Sequence, residues 1–316
     1  MSGLNRPGLC STWCRELEEP IAGTAVVATG WLVVEQPGPW GAKAPTQSHF
    51  DPVLGARIDN DAKKADVRFG LIRTPGRHAD LPAEDLPAGS RQVFAACTVP
   101  GRTILLGGRI GAPEELLAID LEALARGDAA AITAAVPSLA PVEGPIVLVC
   151  TNGKRDECCA ILGRPIAQAL AAAAPGRVWE SNHLGGHRFA PTATILPEGS
   201  SHGQLTVESA LEMYAAATRG ETVIESLRGR GCWSKRGQTA EIAVRRAIGE
   251  ARLDVLTVVD ADPESVAVRH QDGRAWTVAV STEPADPPRP ESCGKEPFNM
   301  SILRAGRVEL VAEKDL

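Results

Sequence analysis

Two short segments carry the residue types that bind metal. The run CTNGKRDECC places Cys150, Cys158 and Cys159 together, and HLGGH follows with His183 and His187. Two thiolates and two imidazoles serve either zinc or an iron–sulfur cluster. Zinc-finger cysteines are usually about two to four residues apart. Here eight residues separate Cys150 from Cys159. The long first gap and short second gap, both on loops over one sheet, suit the wider footprint of a binuclear cluster. By spacing alone, zinc stays a close alternative. Neighbouring helix residues point about 100° apart, so only one of Cys158 and Cys159 should face such a centre.

Local elements must bring these groups together. PIVLV, residues 145–149, is a continuous apolar run typical of a strand covered on both faces. Cys150 then falls at its C-terminal end, where a parallel sheet opens into a crevice. A helix from about Cys158 to Ala174 puts Cys159 in its first turn, where the dipole and unpaired N–H groups favour a thiolate. Asp156 is placed to cap that helix. The histidines lie in a loop after a strand at 177–180, and Gly185 and Gly186 let that loop turn tightly. Lys154, Arg155 and Arg188 flank the motifs, where their positive charge would favour a reduced centre, and they read equally well as solvated loop charges.

The chain repeats one order of elements. The first half reads as a strand ending at Glu35, a helix at 51–65, a strand at 67–72, a hairpin at 92–107 and a helix at 113–125. After the proline-rich linker 137–145, the second half reads as a strand, helix and strand. A hairpin at 192–207 and a helix at 209–218 follow. That order is the order of a thioredoxin-like unit. The expected fold is α/β, with two thioredoxin-like units in tandem plus a small C-terminal α+β module. The expected domains are 1–136 without a cluster, 144–220 with the cluster site, and 221–316. In the last, helices at 221–227 and 239–250 precede three strands and an irregular, proline-rich tail at 285–296.

The formal net charge of −6 argues against nucleic acid as the partner, despite the helices-then-strands order of the third module. No stretch approaches the roughly 20 apolar residues of a membrane span, and the first residues lack the apolar segment of a secretory signal. A cytoplasmic chain is expected. Eight cysteines in a reducing compartment lean towards metal or redox work rather than disulfides. Cys10 and Cys14 share a helix face, but with no further ligand nearby in sequence they read as ordinary thiols. Cys97 and Cys232 read as core or loop residues, and Cys293 has no assigned role. His49, His78, His202 and His270 read as structural or exposed.

From Cys10-Ser11 through GTAVVATGWLVVEQPGPWG, CTNGKRDECCAILGRPIAQAL, HLGGHRFAPTATILPEG and RPESCGK, the chain resembles the sucrase/ferredoxin-like family. The resemblance implies a thioredoxin-like ferredoxin domain holding one 2Fe-2S cluster. It places the ligands on Cys150, Cys159, His183 and His187, with histidines where many such ferredoxins have cysteines. It implies an electron carrier rather than a stand-alone enzyme, served by an external reductase and an acceptor of unspecified identity. Nothing in the sequence supports the glycosidase that the word "sucrase" suggests. Imidazole ligation implies a potential above the all-cysteine value that falls as pH rises. The competing functions are a thioredoxin-type thiol–disulfide oxidoreductase, though the sequence lacks Cys-x-x-Cys, and a structural zinc-binding interaction protein.

Overall fold

Buried stripes along the helices and buried runs along the strands sort the chain into two sheets. The computed structural model describes residues 8–76 and 89–311. Helix α1 (Cys10–Glu16) precedes β1 (Gly30–Glu35), α2 (Pro52–Lys64), β2 (Val67–Arg73) and the hairpin β3 (Arg91–Cys97) and β4 (Ile104–Ile110). Next come α3 (Leu121–Arg126), α4 (Ala129–Ala135) and the short β5 (Ala140–Pro141). The second half runs β6 (Ile146–Cys150), α5 (Glu157–Ala173), β7 (Val178–Ser181), β8 (Ala193–Leu196), β9 (Ser200–His202) and α6 (Val207–Thr218). Then follow β10 (Leu227–Arg230) and α7 (Lys235–Ile248). The last strands are β11 (Leu256–Val259), β12 (Ser265–His270), β13 (Ala275–Pro284) and β14 (Ser301–Val311).

The fold is mixed α/β, with one large sheet and a small one. The large sheet has the order β10-β9-β8-β6-β7-β2-β1-β3-β4-β5, and the small sheet β11-β12-β13-β14. The large sheet contains one pattern twice. β1 pairs parallel with β2 and antiparallel with β3, which pairs antiparallel with β4. β6 pairs parallel with β7 and antiparallel with β8, which pairs antiparallel with β9. The two groups meet where β2 runs antiparallel to β7, with Ile72 opposite Ser181 and Arg73 opposite Glu180.

Local chemistry explains the elements. In α2, Asp51 accepts from the Leu54 N–H at 2.7 Å, Pro52 opens the first turn, and Leu54, Ile58 and Ala62 make the buried stripe. In β6, Val147 and Val149 face a core made only by the second half. Ile146, Leu148 and Cys150 face another core, shared with Trp31, Val33, Phe94 and Leu105 of the first half. This period-two alternation sends the Cys150 thiol into the core that both halves build.

The seam between the halves is polar. Arg73 donates through Nε and Nη2 to Glu180 Oε2 at 2.9 and 2.8 Å, and both side chains are buried. Thr151 adds a hydrogen bond to the same oxygen at 2.9 Å, and Trp40 stacks on the guanidinium at 4.2 Å.

Several expectations shift. The helix expected at 221–227 is a single 3-10 turn, Ile224–Ser226, followed by β10 on the edge of the large sheet. Arg228 and Arg230 in this strand are both buried. Arg230 donates to the Glu198 and Leu253 carbonyls and to Asp254 at 3.2, 3.0 and 2.9 Å, so burial costs it no hydrogen bonds. The helix expected at 113–125 splits into a 3-10 segment and α3, because Asp120 caps a new start by accepting from the Glu122 and Ala123 N–H groups. The second strand of the later hairpin comes earlier, at β9, and β14 joins the three strands expected in the small sheet. His78 lies outside the described residues. His49 is exposed, whereas His202 and His270 are buried.

Buried His202 donates to or accepts from Ser226 Oγ at 2.9 Å, and burial drives its pKa down to about 3. The folded ring stays neutral while an unfolded one takes a proton below about pH 6.5. Stability from this group is therefore complete above that pH and is lost on acidification towards about pH 3. Between those limits it should fall by about 1.4 kcal/mol per pH unit. Urea unfolding at stepped pH should show that slope, and His202→Gln should reduce it by about one proton; an unchanged slope would contradict this account.

Candidate metal centre

Cys150 ends β6, and its N–H donates to the Thr192 carbonyl at 3.0 Å. Asp156 caps α5 by accepting from the Cys158 N–H at 3.0 Å, which sets Cys159 in the first helical turn as the spacing predicts. The helix comes unusually close to the strand. A Cβ on Gly163 would lie 2.1 Å from the Cys150 carbonyl oxygen, so only glycine fits there.

The loop after β7 supplies the histidines. Gly185 and Gly186 have φ of 85° and 67°, values that favour glycine. A Cβ on Gly186 would meet the Arg228 guanidinium at 2.1 Å. That guanidinium is fully buried beneath the loop and donates to Gly185 O at 3.0 Å, to Thr24 Oγ1 at 3.0 Å and to the Thr24 carbonyl. Burial, and then Arg188, lower its pKa to about 10, so it remains a cation at neutral pH. Arg68 holds the other side of the loop through a 2.6 Å bond to the His183 carbonyl.

These elements gather the predicted residues. Ligand atoms of Cys150, Cys159 and His183 all lie within 4.8 Å of one another. His187 stands farther out, its ring 5.2 Å from that of His183. His183 Nδ1 and both ring nitrogens of His187 are buried without a hydrogen-bond partner. Buried polar atoms are normally paired, so three orphaned imidazole nitrogens fit a site built for a metal centre. The Cys159 thiol, and then the His183 ring, hold Cys150 well below the usual thiol range, while burial opposes them. Cys159 moves the opposite way, through its hydrogen bond with Cys150 and through burial. Burial lowers the pKa of His187, keeping its ring neutral and able to ligate.

Cys158 faces elsewhere, as the helical geometry requires. It joins Cys10, Cys293 and Asp156, a second group whose ligand atoms lie within 4.8 Å of one another. Cys10 has no further ligand near it in sequence, but in space it has these neighbours, from α5 and the β13–β14 connection, more than a hundred residues away. Cys14 packs separately, near Ile21 and Phe189, and burial pushes its thiol up to about 12. Cys97 is buried in β3, and burial likewise raises Cys232 to about 12. Sequence reasoning missed Arg68, Arg228 and the second group. Arg228 offered a weak signal, since its LRGRG setting is unusual for a buried strand.

Arg188 forms a 2.8 Å ion pair with buried Glu19, so it is a structural tie and not a free loop charge. Arg155 lines an open cavity of about 510 Å³ beside His183, with Lys43, Lys63 and Arg68. Among the described residues, no helix is long and apolar enough to cross a membrane.

No curated protein and no solved structure matches the chain. The sucrase/ferredoxin-like family model matches residues 21–229, a span containing Cys150, Cys159, His183 and His187 but neither Cys10 nor Cys293. With two thirds of its length matched and this site inside the match, the chain belongs to the sucrase/ferredoxin-like family.

Proposed function

We propose that this protein is an electron carrier holding one 2Fe-2S cluster through Cys150, Cys159, His183 and His187. The observation that carries the reading is the convergence of two buried thiols with His183, beside a His187 ring whose two nitrogens, like Nδ1 of His183, lack hydrogen-bond partners. When bound, the cluster takes up and gives back one electron. The residues around it do the rest. Arg228 places a buried positive charge under the loop, which favours the reduced state. Leu184, Trp31 and Ile72 exclude water from the cysteine side. His183 is only half-buried and borders the cavity rimmed by Lys43, Arg68 and Arg155, with Lys63 paired to Asp59. We read that side as the docking face for an external reductase or acceptor that presents acidic groups.

The repeated strand order is read as two thioredoxin-like units, residues 1–136 and 144–220, the second carrying the cluster, with 221–316 as a third module. Dithiol exchange is the weaker reading, because Cys150 and Cys159 are each 1% exposed and exchange needs access to a sulfur.

Anaerobic purification with a visible spectrum and iron, sulfide and zinc analysis tests the proposal. About two irons and two sulfides per chain are expected. The charge-transfer bands should vanish in Cys159→Ala and His183→Ala. A colourless protein whose zinc is lost in those same variants, made under iron-replete anaerobic conditions, would sink it.

A further inference from the structure

The second cysteine group joins three distant parts of the chain. Cys10 lies in α1, Cys158 in the first turn of α5 and Cys293 in the connection between β13 and β14. Their sulfurs form a triangle. Cys158 Sγ is 3.0 Å from Cys293 Sγ and 3.4 Å from Cys10 Sγ, and Cys10 Sγ is 3.6 Å from Cys293 Sγ. The Asp156 carboxylate oxygens stand 3.8 and 3.9 Å from Cys10 Sγ. All eight cysteines are free thiols. Three sulfurs around one point are one too many for a disulfide.

We infer that Cys10, Cys158, Cys293 and Asp156 form a structural zinc site, separate from the cluster, that locks α1 and the β13–β14 connection onto α5.

Size favours a single ion. Zinc–sulfur bonds of about 2.3 Å at tetrahedral angles put donor sulfurs about 3.8 Å apart, slightly wider than the triangle seen. A small outward movement of the thiols closes the site around zinc. Four protein donors would fill the coordination number of zinc with no open position, which is the pattern of a structural rather than a catalytic zinc.

The surroundings are those of a metal–thiolate site. Leu9, Leu162, Ala190 and Ile161 pack around it, with Cys293 on the partly exposed side. Ser11 Oγ donates to Cys158 Sγ at 3.2 Å, and the Cys10 N–H donates to Cys293 Sγ at 3.4 Å, bonds that support thiolates. Asp156 is held in place by the Cys158 N–H at 3.0 Å, Ser292 Oγ at 2.6 Å and the Cys293 N–H at 3.0 Å. A carboxylate has about four acceptor positions, so one remains for the ion. Binding displaces the three thiol protons to solvent and leaves the sulfurs as thiolate ligands.

Linking residues so far apart constrains the unfolded chain as well as the folded one. The lock also bears on the neighbouring centre. Asp156 Oδ2 lies 3.7 Å from His187 Nε2, and Cys158 precedes Cys159. The two centres therefore share the start of α5 while each keeps its own donors.

The test is metal analysis of the intact protein, purified anaerobically from cells supplied with both metals, beside Cys293→Ser, Cys10→Ser and His183→Ala. About one zinc per chain is expected, in addition to any iron. Cys293→Ser and Cys10→Ser should each lower zinc by roughly tenfold or more while iron and the visible bands persist. His183→Ala should lose iron and keep zinc, which separates failure of this site from failure of the cluster. Circular dichroism identifies a variant that has failed to fold, and the other serine variant then decides. Three outcomes overturn the inference: a wild-type protein without zinc, loss of iron instead of zinc in folded Cys293→Ser, or a Cys158–Cys293 disulfide found by peptide mapping.

Discussion

The midpoint potential of the loaded protein is expected to lie well above the roughly −400 mV of plant-type all-cysteine clusters, and to fall as pH rises. Two causes act in the same direction. A neutral imidazole leaves the centre less negative than a thiolate does, and the buried Arg228 cation stabilises an added electron. The pH dependence has a definite sign. The reduced centre is more negative, so an imidazole nitrogen not bound to metal keeps its proton to higher pH than in the oxidised centre. Between those two pKa values reduction takes up a proton, and the potential drops with increasing pH. A His183→Cys, His187→Cys double variant should lower the potential by roughly 200 mV or more and remove the slope. Redox titration at several pH values measures both effects. A flat wild-type potential from about pH 6 to pH 10 would count against histidine ligation.

Glu180→Ala is expected to cost about 3–5 kcal/mol of stability, a large share of the roughly 5–15 kcal/mol that a folded protein commonly has. The Arg73 and Glu180 side chains are 6% and 1% exposed, so truncation strands a guanidinium where water cannot reach it. Thr151 loses its acceptor too, and Thr151 directly follows Cys150. Iron loading should therefore fall together with stability. Arg73→Met combined with Glu180→Leu should be much less damaging, because both charges go and packing remains. Urea unfolding followed by tryptophan fluorescence gives the comparison. A single variant within about 1 kcal/mol of wild type would show that the seam is held by its backbone pairing and packing alone.

Much of the candidate site could be read locally. Cys150 at a strand end, Asp156 as a cap, Cys159 in the first turn and His183 and His187 on a glycine loop follow from apolar runs and capping chemistry, and the structure places each there. The strand–helix–strand–hairpin order was also legible in both halves, because each element carries its own periodicity. LRGRG was not. Its arginines are satisfied by carbonyls of distant segments, and no local pattern encodes those partners.

The sequence by itself determined that Cys150, Cys159, His183 and His187 sit in two short motifs, how they are spaced, and that Cys158 and Cys159 must part company on a helix. Tertiary structure alone decided that both halves share one sheet, since strand pairing between β2 and β7 depends on edges meeting across more than a hundred residues. It also decided that Cys10 and Cys293, 283 residues apart, stand beside Cys158. Local rules act over one turn or one hairpin. A thiol's neighbours in a buried site are chosen by packing of the whole chain, and that choice leaves no mark in the spacing of the cysteines.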